Sequence, residues 1–186
     1  MVPLVSLGIP ILVSAVIVFL ASYVIHMVLP YHRSDIRKLP NENEVLDAVR
    51  RWNIPPGDYG GPHPGGPAGM RSPDFLEKMK KGPVVFMTVA PGGPMNMGKE
   101  LGLWFVYCLV VGVFAAYVAG RALAPGAAYL AVFRFAGVTA FPAYCLALVQ
   151  DSIWYRRSWV TTSKSVFDGL VYGLLTAGTF GWLWPR

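Results

Sequence analysis

The chain has 186 residues, 54% hydrophobic and 14% charged, with a mean hydropathy of +0.46 and a formal net charge of +6. Soluble domains of this length seldom carry so much apolar surface, so an ordinary water-soluble fold is excluded and lipid becomes the partner that the composition requires. The positive charge does not read as a nucleic-acid footprint, because it follows the pattern of a membrane orientation signal.

The first apolar run, roughly residues 4–29, is long enough to cross ~30 Å of hydrocarbon. It has no basic leader, exceeds a signal-peptide core in length and is followed by PYHRSDIRK in place of a small-residue cleavage site. It is therefore expected to stay attached as a transmembrane helix. His26 lies one turn from its end, four residues after Ser22, and reads as an interface anchor. A bis-histidine haem would need a second intramembrane histidine, or Met27, as the other ligand.

Residues 30–100 form a long connection. Asn41 and Glu44 read as the N-cap and capping box of a short helix with Val45, Leu46, Val49 and Trp52 on its apolar face. The stretch IPPGDYGGPHPGGPAGM, residues 54–70, is too rich in Pro and Gly for helix or strand and is expected to be an irregular arm. Ser72, Pro73 and Gly82 then mark the cap, first position and stop of a second short helix. VVFMTV, residues 84–89, has strand composition but no evident pairing partner. MNM at 95–97 has a spacing that soft metals use but no nearby histidine or cysteine, and His32 and His63 read as unpaired, so neither a metal nor a cofactor is expected.

Three more apolar runs follow, near residues 101–120, 127–149 and 166–184, predicting an all-α membrane protein with four transmembrane helices. The organisation is then helix 1 over 1–29, the connection over 30–100 and helices 2–4 over 101–186. Cys108 and Cys145 fall inside helices and behave there as small apolar residues. If the spans alternate, the connection and the loop at 150–165 share one side and hold thirteen of the sixteen Lys and Arg residues. The excess of basic residues near the membrane predicts a cytoplasmic connection and both termini on the periplasmic side.

Arg134 interrupts the third span. A guanidinium at the centre of a bilayer costs roughly 2.5–3.5 kcal/mol on insertion scales, so it requires either partners or a route to water. Counted from Pro125, it lies about nine residues in, at the depth of the hydroxyls Ser14, Tyr117, Thr176 and Thr179. It is expected to point inward to such groups, to hold an anionic ligand or lipid headgroup with Tyr117, Thr176 and Thr179, or to meet an acid from a partner subunit. Asp168, close after Ser165, reads as a first-turn acid of helix 4, with a substrate or proton-relay role as the alternative.

Gly169, Gly173, Ala177 and Gly181 recur every four residues, and Cys108, Gly112, Ala116 and Gly120 do so on helix 2. Small residues at this spacing let helices approach closely in lipid, and the two stripes are expected to face each other within one subunit or to serve an oligomer. Neither a nucleotide-binding loop nor a catalytic triad or metalloprotease motif occurs, so enzymatic activity is not expected.

The stretches LPYHRSDIRKLPNENEVL, RSPDFLEKMKKGP and IWYRRSWVTTSKSVFDGLVYGLLTAGTFGWLWP resemble those of small bacterial four-span inner-membrane proteins of unknown function. That resemblance covers about half of the chain and implies a bacterial inner-membrane setting without assigning an activity. Two functional expectations follow from the residues. One is a non-enzymatic scaffold or accessory subunit that meets other membrane subunits or copies of itself. The other is a binder or carrier of a lipid or small anion centred on Arg134.

Overall fold

The computed structural model describes residues 1–186 and divides into two compact units, residues 1–36 with 96–186, and residues 37–95. The first unit is helical. A 3₁₀ turn, Leu4–Leu7, leads into α1, Gly8–Tyr23, which continues as a single π-helical turn, Val24–Val28, and a 3₁₀ turn, Pro30–Ser34. In the same unit lie α4, Met97–Ala122, α5, Tyr129–Cys145, α6, Val149–Trp154, and α7, Trp159–Trp182. The second unit holds α2, Glu42–Arg51, and α3, Pro73–Lys81, with strands β1, Gly57–Gly61, and β2, Val85–Val89.

In the helical unit α5 packs most extensively on α7, α1 on α4, α4 on α5 and α1 on α7, so the four long helices form a closed ring. Three runs, Leu4–Val28, Met97–Ala122 and Tyr129–Trp154, are long and apolar enough to cross a membrane. Only 28% of each apolar window is buried within the chain, which leaves the outer faces, rich in Val, Leu, Ile and Phe, to lipid. The fourth helix, α7, has 24 residues but carries Lys164 and Asp168.

Small residues set the packing, with partners other than those expected. A Cβ on Gly173 would meet the Phe141 Cβ at 3.0 Å and its backbone at 3.1–3.2 Å, one on Gly169 would meet Cys145 at 2.4 Å and one on Gly181 the Tyr129 ring at 2.7 Å. Ala177 packs against Gly137 from the same side. The α7 stripe therefore faces α5, while Gly112 and Gly120 face Ile11 and Val2 in the first segment, with Ala116 buried beside them. Both stripes work inside one subunit, but not against each other, because the ring order separates α4 from α7.

One end of the ring is sealed by backbone pairing. The Val2 amide donates to Gly120 at 2.7 Å, the Gly126 amide to Pro185 at 2.8 Å, and the Trp184 indole to the Ala124 carbonyl at 3.0 Å. Trp184 is thus buried with Val2, Leu7 and Phe180. At the other end a buried bond of 2.6 Å between the Ser152 and Thr162 hydroxyls ties α6 to α7.

In the second unit the expected irregular arm contains a strand. β1 pairs antiparallel with β2, Gly57 opposite Val89 and Gly61 opposite Val85, so VVFMTV does have a partner. Glycine and aspartate have no strand preference of their own. The ladder rests on backbone bonds and on the Thr88 hydroxyl donating to Asp58 at 2.6 Å. Ser72 caps α3 as expected, accepting from the Phe75 amide at 3.2 Å, and Gly82 stops the helix at φ 62°. The capping box at α2 does not form: Asn41 sits in the left-handed region at φ 50°, and a side chain reaches the N3 amide only from extended backbone.

Candidate functional site

The densest polar cluster in the helical unit lies where the first segment leaves α1 and packs against α7. The π-helical turn places His26, and the 3₁₀ turn after Leu29 folds Tyr31, His32 and Asp35 back beside it. The His26 and His32 ring centroids come within 4.4 Å, and those of Tyr31 and His32 within 4.2 Å. Single π-helical turns inside helices concentrate at functional sites, since the extra residue re-aims side chains.

Asp168 enters from α7 and is 3% exposed. One of its oxygens accepts the Tyr31 hydroxyl; the other lies 2.8 Å from His32 Nε2. The opposite ring nitrogen of His32, Nδ1, is 2.7 Å from Asp35 Oδ2. Lys164 donates to the other Asp35 oxygen at 2.7 Å, to Ser34 Oγ at 3.0 Å and to the Tyr31 carbonyl. The far side of His26 meets the Tyr172 hydroxyl at 3.4 Å from Nε2.

Burial pushes the Asp35 carboxyl upward, but hydrogen bonds from Lys164 and His32 outweigh it and hold the group below the usual carboxylate range. Burial and the bond to Asp168 push the Tyr31 hydroxyl well above its ordinary value, so it remains a donor. His32 Nε2 is close to Asp168 but out of line for a hydrogen bond with it. It is a buried nitrogen without a hydrogen-bond partner.

Two openings flank the cluster. A cavity of ~420 Å³ lies beside His26, walled by Phe19, Leu20, Tyr23, Leu101 and Trp104, and a shallower one of ~580 Å³ borders Tyr31, Lys164 and Trp159. The Trp104 indole donates to Ser22 at 2.8 Å, and its ring sits with Tyr107, Tyr144 and Tyr172 in an aromatic group that backs the site.

The residues expected around Arg134 do not gather there. Thr176 and Thr179 are buried and donate to the Tyr172 and Leu175 carbonyls of their own helix at 2.9 and 2.8 Å, and Ser14 does the same to Ile11 at 3.0 Å. Tyr117 faces Arg121, whose guanidinium lies 5.6 Å from its ring centroid, at a separate cavity of ~470 Å³ beside Val2. Arg134 is exposed, borders a cleft of ~250 Å³ between α5 and α7 with Phe133, Gly137, Phe141, Leu170 and Gly173, and makes no hydrogen bond or ion pair within the chain. Because α5 starts at Tyr129 and not at Pro125, Arg134 is only about 7.5 Å along the helix, close enough to its end to snorkel.

Asp168 is likewise not a first-turn acid. The helix begins at Trp159, so Asp168 sits nine residues in, at the depth of His26 and not beside Arg134. The reading of His32 as unpaired is corrected, and His26 gains the neighbouring histidine that it was expected to lack. The signal available in the sequence was the break at Leu29–Pro30, which ends the helix between the two histidines and lets them meet. No known protein family matches the chain, and no curated protein or solved structure matches it either.

Proposed function

We propose that the protein is an integral membrane accessory subunit, with four spans in a bacterial inner membrane, both termini periplasmic and the 37–95 unit presented to a partner on the cytoplasmic side. The observation that carries this reading is the unit itself: α2 and α3 are amphipathic, yet neither contains a buried residue, and Trp52 and Leu76 are 70% and 54% exposed. Apolar helix faces left uncovered are what a groove or flat protein surface receives. The orientation follows from the concentration of Lys and Arg in residues 30–100 and 150–165. Hydropathy alone qualifies three helices, and α7, of similar length and packed into the same ring, serves as the fourth span with its polar end at the water interface.

Native mass spectrometry of protein extracted from its own host in mild detergent tests this directly. Recovery within a defined heteromeric assembly is expected, and Leu46→Glu with Trp52→Glu should release it. Recovery as a monomer or as copies of one chain, unchanged by those substitutions, would reject the proposal.

A second reading has one observation in its favour, the unpartnered Arg134 at its cleft. An anionic lipid headgroup held there would be lost from purified Arg134→Leu protein and retained in the wild type, as read by mass analysis of co-purified lipids.

A further inference from the structure

We propose that His26, His32 and Asp168 form a binding site for a divalent transition-metal ion. Each offers one ligand atom, and those atoms lie within 4.8 Å of one another. Ligands bound to one such ion at about 2.0–2.2 Å stand about 3 Å apart, and His32 Nε2 and Asp168 Oδ2 already do, at 2.8 Å. Rotation of the exposed His26 ring brings in the third donor.

The electrostatics of His32 carry the argument. With Nδ1 directed at Asp35 Oδ2, the neutral ring presents a lone pair at Nε2, and an Asp168 carboxylate oxygen stands 2.8 Å from that nitrogen, off the lone-pair axis. Two acceptors at hydrogen-bond distance repel unless a positive charge lies between them. A proton on Nε2 is the alternative, but the N–H direction there meets no acceptor. A metal ion accepts both donors without that alignment. It also compensates Asp168, a carboxylate buried to 3% exposure whose direct contacts are the neutral Tyr31 hydroxyl and the His32 ring.

The surroundings have the form of an outer shell. Asp35 holds the His32 tautomer, as carboxylates do behind metal-bound imidazoles, and Lys164 fixes Asp35. Tyr31 orients Asp168 through its second oxygen. Two imidazoles and one carboxylate suit zinc, ferrous iron or cobalt better than magnesium or calcium, which take oxygen ligands. Three protein ligands leave coordination positions open, as in catalytic and not closed structural sites, and the cavity beside His26 supplies a route to them.

The test uses the full-length protein purified in mild detergent, stripped by chelator dialysis and titrated with Zn²⁺ by equilibrium dialysis and with Co²⁺ by visible absorption. One Zn²⁺ per chain is expected, together with a Co²⁺ ligand-field band. His26→Gln, whose side chain is exposed and does not threaten folding, should weaken Zn²⁺ binding by about tenfold or more and change the band. Asp168→Asn should abolish it, and His63→Gln should leave both unchanged. Absence of stoichiometric binding, or equal affinity in the wild type and His26→Gln, would overturn the proposal. Destabilisation by Asp168→Asn in a protein that takes up no metal would assign the cluster to a protonated His32 held between two carboxylates.

Discussion

Arg134 interrupts the apolar helix α5 and Asp168 interrupts α7, and the chain treats the two oppositely. Arg134 lies five residues past the start of its helix, exposed and without a partner in the chain, while Asp168 lies nine residues in, buried and contacted by Tyr31 and His32. Length of side chain and distance to the helix end account for the difference. A long cation near a terminus reaches water by its own flexibility, whereas a short carboxylate further in must be met by groups brought to it. The first region needs nothing from the fold and the second is a product of it.

Substitution at Asp168 should have the largest effect. Asp168→Leu removes one member of a buried polar cluster and leaves His32 and Tyr31 facing an apolar side chain, a loss of about 3–5 kcal/mol. Denaturation in mixed micelles measures it, and a wild-type unfolding curve would remove the contrast with Arg134. Gly173→Val comes next, because its side chain would press on the Phe141 backbone and overpack the α5/α7 contact by about 1–3 kcal/mol. The same measurement on Gly178→Ala, where the nearest atom is the Tyr129 hydroxyl at 3.5 Å, should show little change.

Tyr31→Phe deletes a single donor to Asp168 and should cost about 1–3 kcal/mol, less than Asp168→Leu and readable in the same assay. Arg134→Leu should leave the unfolding midpoint unchanged or raise it, since no interaction within the chain is broken. A clear drop in midpoint would make the arginine part of the fold and erase the distinction between the two regions.

The long apolar segments were legible because hydropathy over about twenty residues is a local property. The third and fourth helix starts were not. Ala127 and Ala128 read as helix but turn at Gly126, while Trp159, Val160, Thr161 and Thr162 read as loop yet form the first turn of α7, with Thr161 and Thr162 buried. Those two shifts move Arg134 outward and Asp168 inward relative to the depths expected of them. The actual cluster joins residues more than 130 positions apart in sequence. His26 and His32 are six apart, which on an uninterrupted α-helix puts them on different faces, and only the π-helical and 3₁₀ turns bring their rings together. Hidden for a similar reason, β1 reads as a flexible Gly/Pro segment because its pairing depends on β2, whose composition is the stronger of the two.

The bonds from Lys164 to Asp35 and from Tyr31 to Asp168 connect the turn after the first long helix with the last one across 129 and 137 residues. At ordinary rates of synthesis that interval is on the order of ten seconds, during which the end of α1 is already made and α7 is not. Throughout it, His26, His32 and Asp35 lack the partners that α7 supplies, and any chain that stops short of α7 keeps them so. The cluster thereby distinguishes a finished bundle from a truncated one, in which the groups that α7 would meet are left unsatisfied.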